Sequence, residues 1–575
     1  MTRANDRVAE ALLEYADLLA ITGGDAYRVR NYEKAARSVA GYHLDVASLD
    51  EEGLEEIPAV GTSIAAKILQ LVDHGSFDEL DERRSQVPAG VRSLLDVPGL
   101  GPKRAARLHD ELGISSIPEL LDALHEHRLE HIRGFGAKTE QNLLQAIRDH
   151  RESGGRVQLG VALDLAEQML TVLRALPEVR RSAYAGSLRR MRDTIGDVDL
   201  LVAADDPAPV TAAFCAAPLV ADVLARGPTR SSVLTTKGLQ VDLRVIPPAV
   251  WGAALQYFTG SKAHNVRLRE LAVKQGLKLS EYGLFRLADD QRLAASTEEE
   301  IYAQLGLAWI PPTLREDRGE IEAARAGTLP HVVELQDVRG DLHTHTDLTD
   351  GLASLAQMVG SASEHHYEYY AVTDHAPLLY MERMTKQSAL GQRRELRELA
   401  KHTRTVLLQG SELNIQPDGS LDWDDQFLAS FDILIASVHS QFNQSRDDMT
   451  RRLIRAIEHP YVNIVGHPTA RLIGKRRAVD LVDDAVFAAA ARAGTALEIN
   501  AFPDRLDLDD TLARRAGEHG VKFAISTDAH AIPHLEYMRF GIATAQRAWI
   551  EPDDVINTWP LERLQQFLTK GRSVR

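Results

Sequence analysis

The sequence holds a single cysteine, Cys215, in 575 residues. One thiol excludes an internal disulfide and leaves any metal site to be built from imidazole and carboxylate. A long apolar run is also lacking. Residues 1–20 carry Arg3, Asp6, Arg7, Glu10, Glu14 and Asp17, so neither a signal peptide nor a membrane helix is expected there. Excess positive charge is missing too. A net charge of −17 argues against a tight, nonspecific hold on long duplex nucleic acid. It does not exclude nucleic acid as a substrate, because carboxylates that hold cations count as negative until the cations bind, and basic residues can gather on one face. No segment is of low complexity. What remains, 44% hydrophobic and 26% charged, is an ordinary globular composition in a chain too long for one core. A cytoplasmic protein of several domains is expected, acting as a monomer without a membrane.

Residues 1–150 read as helical, with apolar side chains at three- and four-residue spacing and short Gly/Pro interruptions. Arg151-Glu152-Ser153-Gly154-Gly155 has the composition of a linker. Residues 156–315 alternate helices with strand-like runs such as Asp199-Leu200-Leu201-Val202. A charged stretch, 316–334, is expected to link this region to the last one, 335–575. There, seven short apolar runs end in polar, metal-capable residues and are separated by helical stretches. Repeated strand–helix units imply parallel strands, and seven could close into a barrel with its functional residues at the C-terminal strand ends.

Three turns in the helical region look alike: Ile57-Pro58-Ala59-Val60-Gly61, Val97-Pro98-Gly99-Leu100-Gly101 and Ile132-Arg133-Gly134-Phe135-Gly136. Each precedes a helix with a basic residue near its start, Lys67, Lys103 and Lys138. Glycines before a helix let backbone N–H groups approach a phosphate. One such turn could be no more than a helix cap; three together resemble helix-hairpin-helix elements, which grip the DNA backbone without reading sequence. Gly61, Gly99, Gly101, Lys103, Gly134, Gly136 and Lys138 are the expected contacts. Ala59 departs from the pattern, standing where glycine is usual.

The most informative string of the first half is Tyr184-Ala185-Gly186-Ser187-Leu188-Arg189-Arg190 followed by Gly196-Asp197-Val198-Asp199. Side chains on a strand alternate, so Asp197 and Asp199 share a face, and Asp242 lies in a second alternating run. A bare Asp-x-Asp is commonly a solvated strand face; the Gly-Ser-x-Arg-Arg run and the third aspartate point instead to paired divalent cations. Such a site suits phosphoryl transfer, with Mg²⁺ or Mn²⁺ activating the attacking hydroxyl and steadying the triphosphate. Gly186 and Ser187 would contact triphosphate oxygens, and Arg190 would supply positive charge.

This region resembles the palm of family X DNA polymerases, relatives of polymerase beta. The resemblance covers about residues 1–315 and implies gap-filling synthesis from deoxynucleoside triphosphates on gapped or primer–template DNA. Tyr257-Phe258-Thr259-Gly260-Ser261 is similar to the family's sugar-sensing turn, which places Tyr257, Phe258, Gly260 and Ser261 at the nucleotide. Asn265 and Arg269 fall where the family meets the incoming base and the template side, and Lys262 is a departure that puts a basic residue near the triphosphate. Ser280 to Phe285 and Trp309 to Pro312 resemble the thumb. Lys67 falls where members with lyase activity place a Schiff-base lysine, a role that needs a partly neutral amine; an ordinary phosphate-contacting lysine fits the position as well.

In the last region, His343, His345, Asp350, His375, Glu412, His439, His467, Asp528 and His530 stand at successive strand ends. A lone histidine is usually a satisfied core residue; nine such residues in this arrangement are not. Imidazole with carboxylate suits Mn²⁺, Zn²⁺ or Fe²⁺, and nine donors imply two or three ions. Such ions would draw a nucleophile from water at neutral pH and neutralise a phosphate under attack. His365, His366, His402 and His459 lie outside the pattern. The motifs resemble the PHP (polymerase and histidinol phosphatase) domain, with all nine ligand positions filled and Thr346 and Thr349 where serine is commoner. In a polymerase fusion the resemblance implies a Mn-dependent 3′–5′ exonuclease, and cleavage at abasic sites or removal of blocked 3′ ends. A phosphatase of small esters and a DNA-binding scaffold with decayed centres are the competing readings. Intact aspartates and ligands oppose the second.

The expected fold is therefore multidomain α/β: a helix-hairpin-helix region, a nucleotidyltransferase palm with thumb, and a seven-stranded β/α barrel.

Overall fold

The computed structural model describes residues 4–570, apart from residues 43, 98–99, 130–131, 133–134, 137–138, 142, 145–146, 148–154 and 379–383. The expected contacts Gly99, Gly134 and Lys138 and most of the 151–155 linker thus lie outside the described residues.

The N-terminal region is helical, as its periodicity predicts. Helices Ala4–Ile21, Ala26–Ala40 and Thr62–His74 bury Leu12, Tyr15, Leu19, Ile64 and Ile68 in one core. A second small core gathers Leu108, Leu120, Leu124 and Phe135 around helices Pro102–Leu112 and Ile117–His125. Gly61 and Gly101 are the N-caps of Thr62–His74 and Pro102–Leu112, and neither helix has a side-chain cap. The first-turn amides of both helices therefore rely on partners from outside their own caps.

The palm follows. Two short strands, β1 (Val157–Gln158) and β3 (Thr194–Ile195), pair beside a five-stranded sheet. The sheet comprises β2 (Val179–Tyr184), β4 (Asp197–Ala204), β5 (Val220–Arg226), β6 (Arg230–Thr235) and β7 (Gln240–Ile246), in the order β2-β4-β7-β6-β5. Val198 and Leu200 of β4 and Val241 and Leu243 of β7 point inward onto helix Leu159–Arg174. The alternation then turns Asp197, Asp199 and Asp242 to the opposite face. A small antiparallel sheet, β8 (Leu277–Ser280), β9 (Gly283–Arg286) and β10 (Arg292–Ala294), forms part of the thumb.

The last region is a barrel of parallel strands in sequence order: β11 (Gly340–Asp341), β12 (Tyr369–Val372), β13 (Val406–Asn414), β14 (Ile433–Ser437), β15 (Ile464–Val465), β16 (Ala496–Asn500) and β17 (Phe523–Ser526). A parallel bridge between Thr344 and Ala529 brings the first strand's extension to the last, with the His345 N–H donating to the Ala529 carbonyl at 2.8 Å. Most strand residues are buried, which is why these strands read as unbroken apolar runs. Leu342, Ile433, Ile435 and Ile464 meet Trp559 and Leu564 from the C-terminal segment, sealing the end remote from the strand C-termini.

The segment 316–334, expected to be a linker, packs on both sides. Ile321 and Ala324 of helix Glu320–Ala326 join the thumb core, and Val333 joins the barrel core. The palm is not free of the barrel either: Leu506 and Phe540 are part of the palm's own hydrophobic cluster. Among the described residues, no helix is long and apolar enough to cross a membrane.

Candidate functional site

Two separate clusters of chemistry-bearing side chains emerge. In the palm, β4 and β7 run parallel with Asp199 opposite Asp242 and Asp197 opposite Gln240. Asp242 accepts hydrogen bonds from the Ser232 hydroxyl and, at 3.0 Å, from Gln240 Nε2. Burial, reinforced by the carboxylates of Asp197 and Asp242, pushes Asp199 up to about 7. Arg244 and Arg190 offset this only in part, so the neighbouring carboxylates are left with an excess of negative charge that suits divalent cations. The turn ahead of them is shaped for close approach. Gly186 has φ +57, and a Cβ there would collide with Asp199 Oδ2; the Ala185 N–H donates to the Asp199 carbonyl at 2.8 Å.

The basic residues of that turn are held rather than splayed. Arg189 pairs with Glu298 at 2.8 Å. Arg190 Nε donates to Glu316 at 3.0 Å, and its Nη1 donates to the Thr259 carbonyl at 2.8 Å. Ser187 stands in the same helical turn, Gly186–Arg189. Tyr257 and Phe258 end helix Trp251–Thr259 with ring centroids 5.2 Å apart, and Arg244 lies over the Phe258 face. Ser261 caps helix Lys262–Lys274, accepting from the His264 N–H. The Asn265 amide is spent within the turn, donating to the carbonyls of Tyr257 at 2.6 Å and Gly260 at 3.2 Å. Lys262 and Arg269 are exposed on the helix that starts there.

Around the N-terminal turns, Gly61, Gly101 and Gly136 have open space where a side chain would be. Lys103 is exposed on the first turn of its helix. Lys67 is different. It is buried, with Nζ 2.8 Å from Glu79 Oε1. Burial disfavours its charge, but Glu79 and the nearby Tyr32 and Tyr15 outweigh that and raise its pKa above the ordinary lysine value. Schiff-base chemistry needs a partly neutral amine, and the pairing with Glu79 shifts Lys67 the other way.

The second cluster lies at the C-terminal ends of the barrel strands, and the structure brings all nine expected residues to it. Ligand atoms of His345, Asp350, His375 and His530 come together, as do those of His343, His345 and Asp528, and those of His375, Glu412 and His439. His467 joins through Nε2, 3.0 Å from Glu412 Oε1. The shared members His345 and His375 knit the groups into one centre, as bridging between ions requires.

Further residues orient these rings. His343 Nδ1 is 2.7 Å from Glu498 Oε1, His439 Nδ1 is 2.7 Å from Asn414 Oδ1, and His530 Nδ1 is 2.7 Å from the Asp528 carbonyl. Each contact engages Nδ1 and turns Nε2 inward. Glu498 also accepts the His467 N–H, and Asn500 Nδ2 donates to both Glu498 and Asp528. Asp374 accepts from Thr346, Thr349 and Gln392, which fixes the loop carrying Asp350. These supports were not singled out from the sequence. Glu498 and Asn500 end the run Ala-Leu-Glu-Ile-Asn, a polar strand end without histidine, and that was the available signal.

The donor set fits cations. Buried nitrogens His343 Nε2, His345 Nδ1 and Nε2, and His467 Nδ1 have no hydrogen-bond partner. Burial opposes charge on Glu412 and Asp528, yet the surrounding imidazoles hold both well below the carboxylate range. Burial together with His530 and His375 drives His345 down to about 3, so its ring stays neutral and able to coordinate.

Comparison with known proteins places the whole chain. Residues 3–77 match a helix-hairpin-helix domain, 91–149 a SAM-like helix-hairpin-helix tandem, 254–316 the DNA polymerase beta thumb and 341–501 the PHP domain. Over 569 residues, 98% of this chain and 99% of the relative, it is 34% identical to the DNA polymerase/3′-5′ exonuclease PolX of Bacillus subtilis (strain 168). The chain belongs to the family X DNA polymerases that carry a PHP domain. Two further relatives each match one portion of this family X architecture. DNA polymerase lambda of Rattus norvegicus is 25% identical over 323 residues, 51% of this chain and 53% of that protein. A "Probable phosphatase" of Thermoanaerobacter sp. (strain X514) is 30% identical over 245 residues, 40% of this chain and 95% of that protein. In this family X chain, then, divalent-metal chemistry is expected at two places, and the structure supplies a carboxylate set for one and an imidazole–carboxylate set for the other.

Proposed function

We propose that the chain is a DNA-directed DNA polymerase that fills short gaps during repair and processes 3′ ends with a Mn-dependent 3′–5′ exonuclease. It would act on gapped or primer–template DNA and deoxynucleoside triphosphates as a cytoplasmic monomer. The observation that carries the reading is the coexistence, in one chain, of three aspartates in register on β4 and β7 and nine metal-capable residues at the open end of a barrel.

In the palm, Asp197, Asp199 and Asp242 would hold Mg²⁺ or Mn²⁺, which lowers the pKa of the primer hydroxyl and neutralises the triphosphate. Gly186 and Ser187 would lie along the triphosphate and Arg190 would balance its charge. Tyr257 and Phe258 would face the sugar, and Gly260, Ser261, Lys262, Asn265 and Arg269 would frame the nucleotide and template. The turns at Gly61, Gly101 and Gly136, with Lys103, would steady the duplex through its phosphates.

In the barrel, His343, His345, Asp350, His375, Glu412, His439, His467, Asp528 and His530 would hold two or three Mn²⁺ ions, which supply a nucleophile from water and a positive field for the phosphodiester. Glu498, Asn414 and Asn500 would keep the rings aimed. Abasic-site cleavage would use the same centre. We take residues 1–150, 156–315 and 335–575 as the helical, palm–thumb and PHP domains, with 316–334 joining them.

A labelled primer on one-nucleotide-gapped DNA with Mn²⁺ tests the reading. Extension with deoxynucleotides and 3′ shortening without them are expected. A primer that shortens but never extends would leave only the nuclease. The phosphatase-like relative makes small phosphate esters worth one control: phosphate released from histidinol phosphate, with no primer shortening, would favour a phosphatase.

A further inference from the structure

Arg547 ends helix Met538–Arg547 on the barrel side of the molecule, yet its guanidinium reaches the palm. Its Nη1 donates to Glu316 Oε1 and to the carbonyl of Arg190, both at 2.9 Å. Its Nη2 donates to Asp510 Oδ2 at 2.8 Å, and Asp510 also receives Arg318 at 2.9 Å. Glu316 Oε1 is the same atom that accepts Arg190 Nε at 3.0 Å. One carboxylate oxygen is therefore shared between an arginine of the palm and an arginine of the barrel.

The grouping is well shielded. Side-chain exposure is 3% for Arg547 and 12% for both Glu316 and Arg190. Charges so placed depend on their partners: taking one away leaves the others desolvated and incompletely compensated. Arg547 also holds Arg190 by two handles, its backbone carbonyl and the carboxylate that fixes its guanidinium. A contact that merely glued two domains together would have no need to converge on one residue of the Gly186–Arg190 turn.

We propose that the barrel is a working part of the nucleotide site, with Arg547 a positioning residue that sets Arg190 for the triphosphate. This rests on the reading of Arg190 as the triphosphate's cation. In that arrangement Glu316 keeps a partner when Arg190 turns toward phosphate, because Arg547 remains on the same oxygen. The exchange then leaves no buried carboxylate alone.

The test uses the full-length chain on one-nucleotide-gapped DNA, with the deoxynucleotide titrated to separate KM from kcat. Shortening of single-stranded DNA in Mn²⁺ reports whether the barrel is folded. Arg547→Ala should raise the KM for deoxynucleotide by on the order of 10- to 100-fold, the scale on which small misplacements of a binding group act. The fall in kcat at saturation should be smaller, and shortening should be unaffected. Arg547→Lys, which keeps the charge but not the forked contact, should recover part of the loss. An unchanged KM in Arg547→Ala overturns the inference. If that variant also loses shortening, Arg547→Lys decides: a raised KM supports the positioning role and an unchanged one overturns it. A wild-type chain that never extends a primer would instead remove the polymerase reading, and this inference with it.

Discussion

Asp199 is largely buried beside two other carboxylates, and its titration should be measurable. Its folded value of about 7 stands above the 3.8 of an ordinary aspartate, so the native state binds the extra proton between those limits. With metal removed by chelation, stability should therefore fall as pH rises from about 4 to about 7. Asp199→Asn abolishes that loss. We expect it to melt a few degrees higher than wild type at pH 8, roughly 2–4 °C per kcal/mol recovered, and to show no advantage near pH 4. Equal melting of the two proteins at pH 8 would refute the electrostatic account of this site. At the other centre, Glu498→Gln should lower Mn²⁺ affinity or nuclease activity by about 10- to 100-fold while the nine ligands remain, because the His343 ring loses its anionic partner. Titration calorimetry with Mn²⁺ would check it, and unaltered affinity would count against an orienting role. The ligands themselves were legible because imidazole and carboxylate at strand ends have few other uses. Glu498, Asn414 and Asp374 were not, since their value lies in which ring or loop they touch across the barrel.

Elements show the same division. The seven barrel strands announce themselves as apolar runs ending in polar residues, and β4 and β7 as alternating ones. The palm's strand order was not readable, and in the barrel β11 and β15 are paired over only two residues each. The connecting segment 316–334 reads as a charged linker, but Glu320 is fully buried against His264, and Arg315 just ahead of it is buried against Glu298. A charge run looks solvated until its partners are known. Ala59 is a case where the local sequence spoke correctly. It stands where glycine is usual in such turns, and it adopts φ 65, a left-handed conformation that costs an alanine about 1–2 kcal/mol relative to glycine. Ala59→Gly should stabilise the turn by about 1 kcal/mol, slowing amide exchange in helix Thr62–His74 roughly fivefold. Exchange that stays the same or speeds up would show that the turn tolerates alanine without strain.

At the scale of the whole molecule, palm and barrel share a core. Leu506 and Phe540 pack with Leu163, Ala166 and Leu170, Gln158 Nε2 donates to the Ile473 carbonyl, and Arg471 pairs with Asp193 at 3.3 Å. Such contacts join residues more than 270 positions apart, so no local pattern could reveal them. They make the two chemistries neighbours in one body rather than beads on a string. The acidic balance also fits the proposal, in which Asp197, Asp199, Asp242, Asp350, Glu412 and Asp528 would hold cations. One chain thus carries two phosphoryl chemistries at separate centres. The decisive measurement runs wild type, Asp199→Ala and His343→Ala on the same labelled, one-nucleotide-gapped DNA with Mn²⁺, with and without deoxynucleotides. Asp199→Ala should shorten the primer but not extend it, and His343→Ala should extend it but not shorten it. Extension by Asp199→Ala, or shortening by His343→Ala, would contradict the assignment of the two centres.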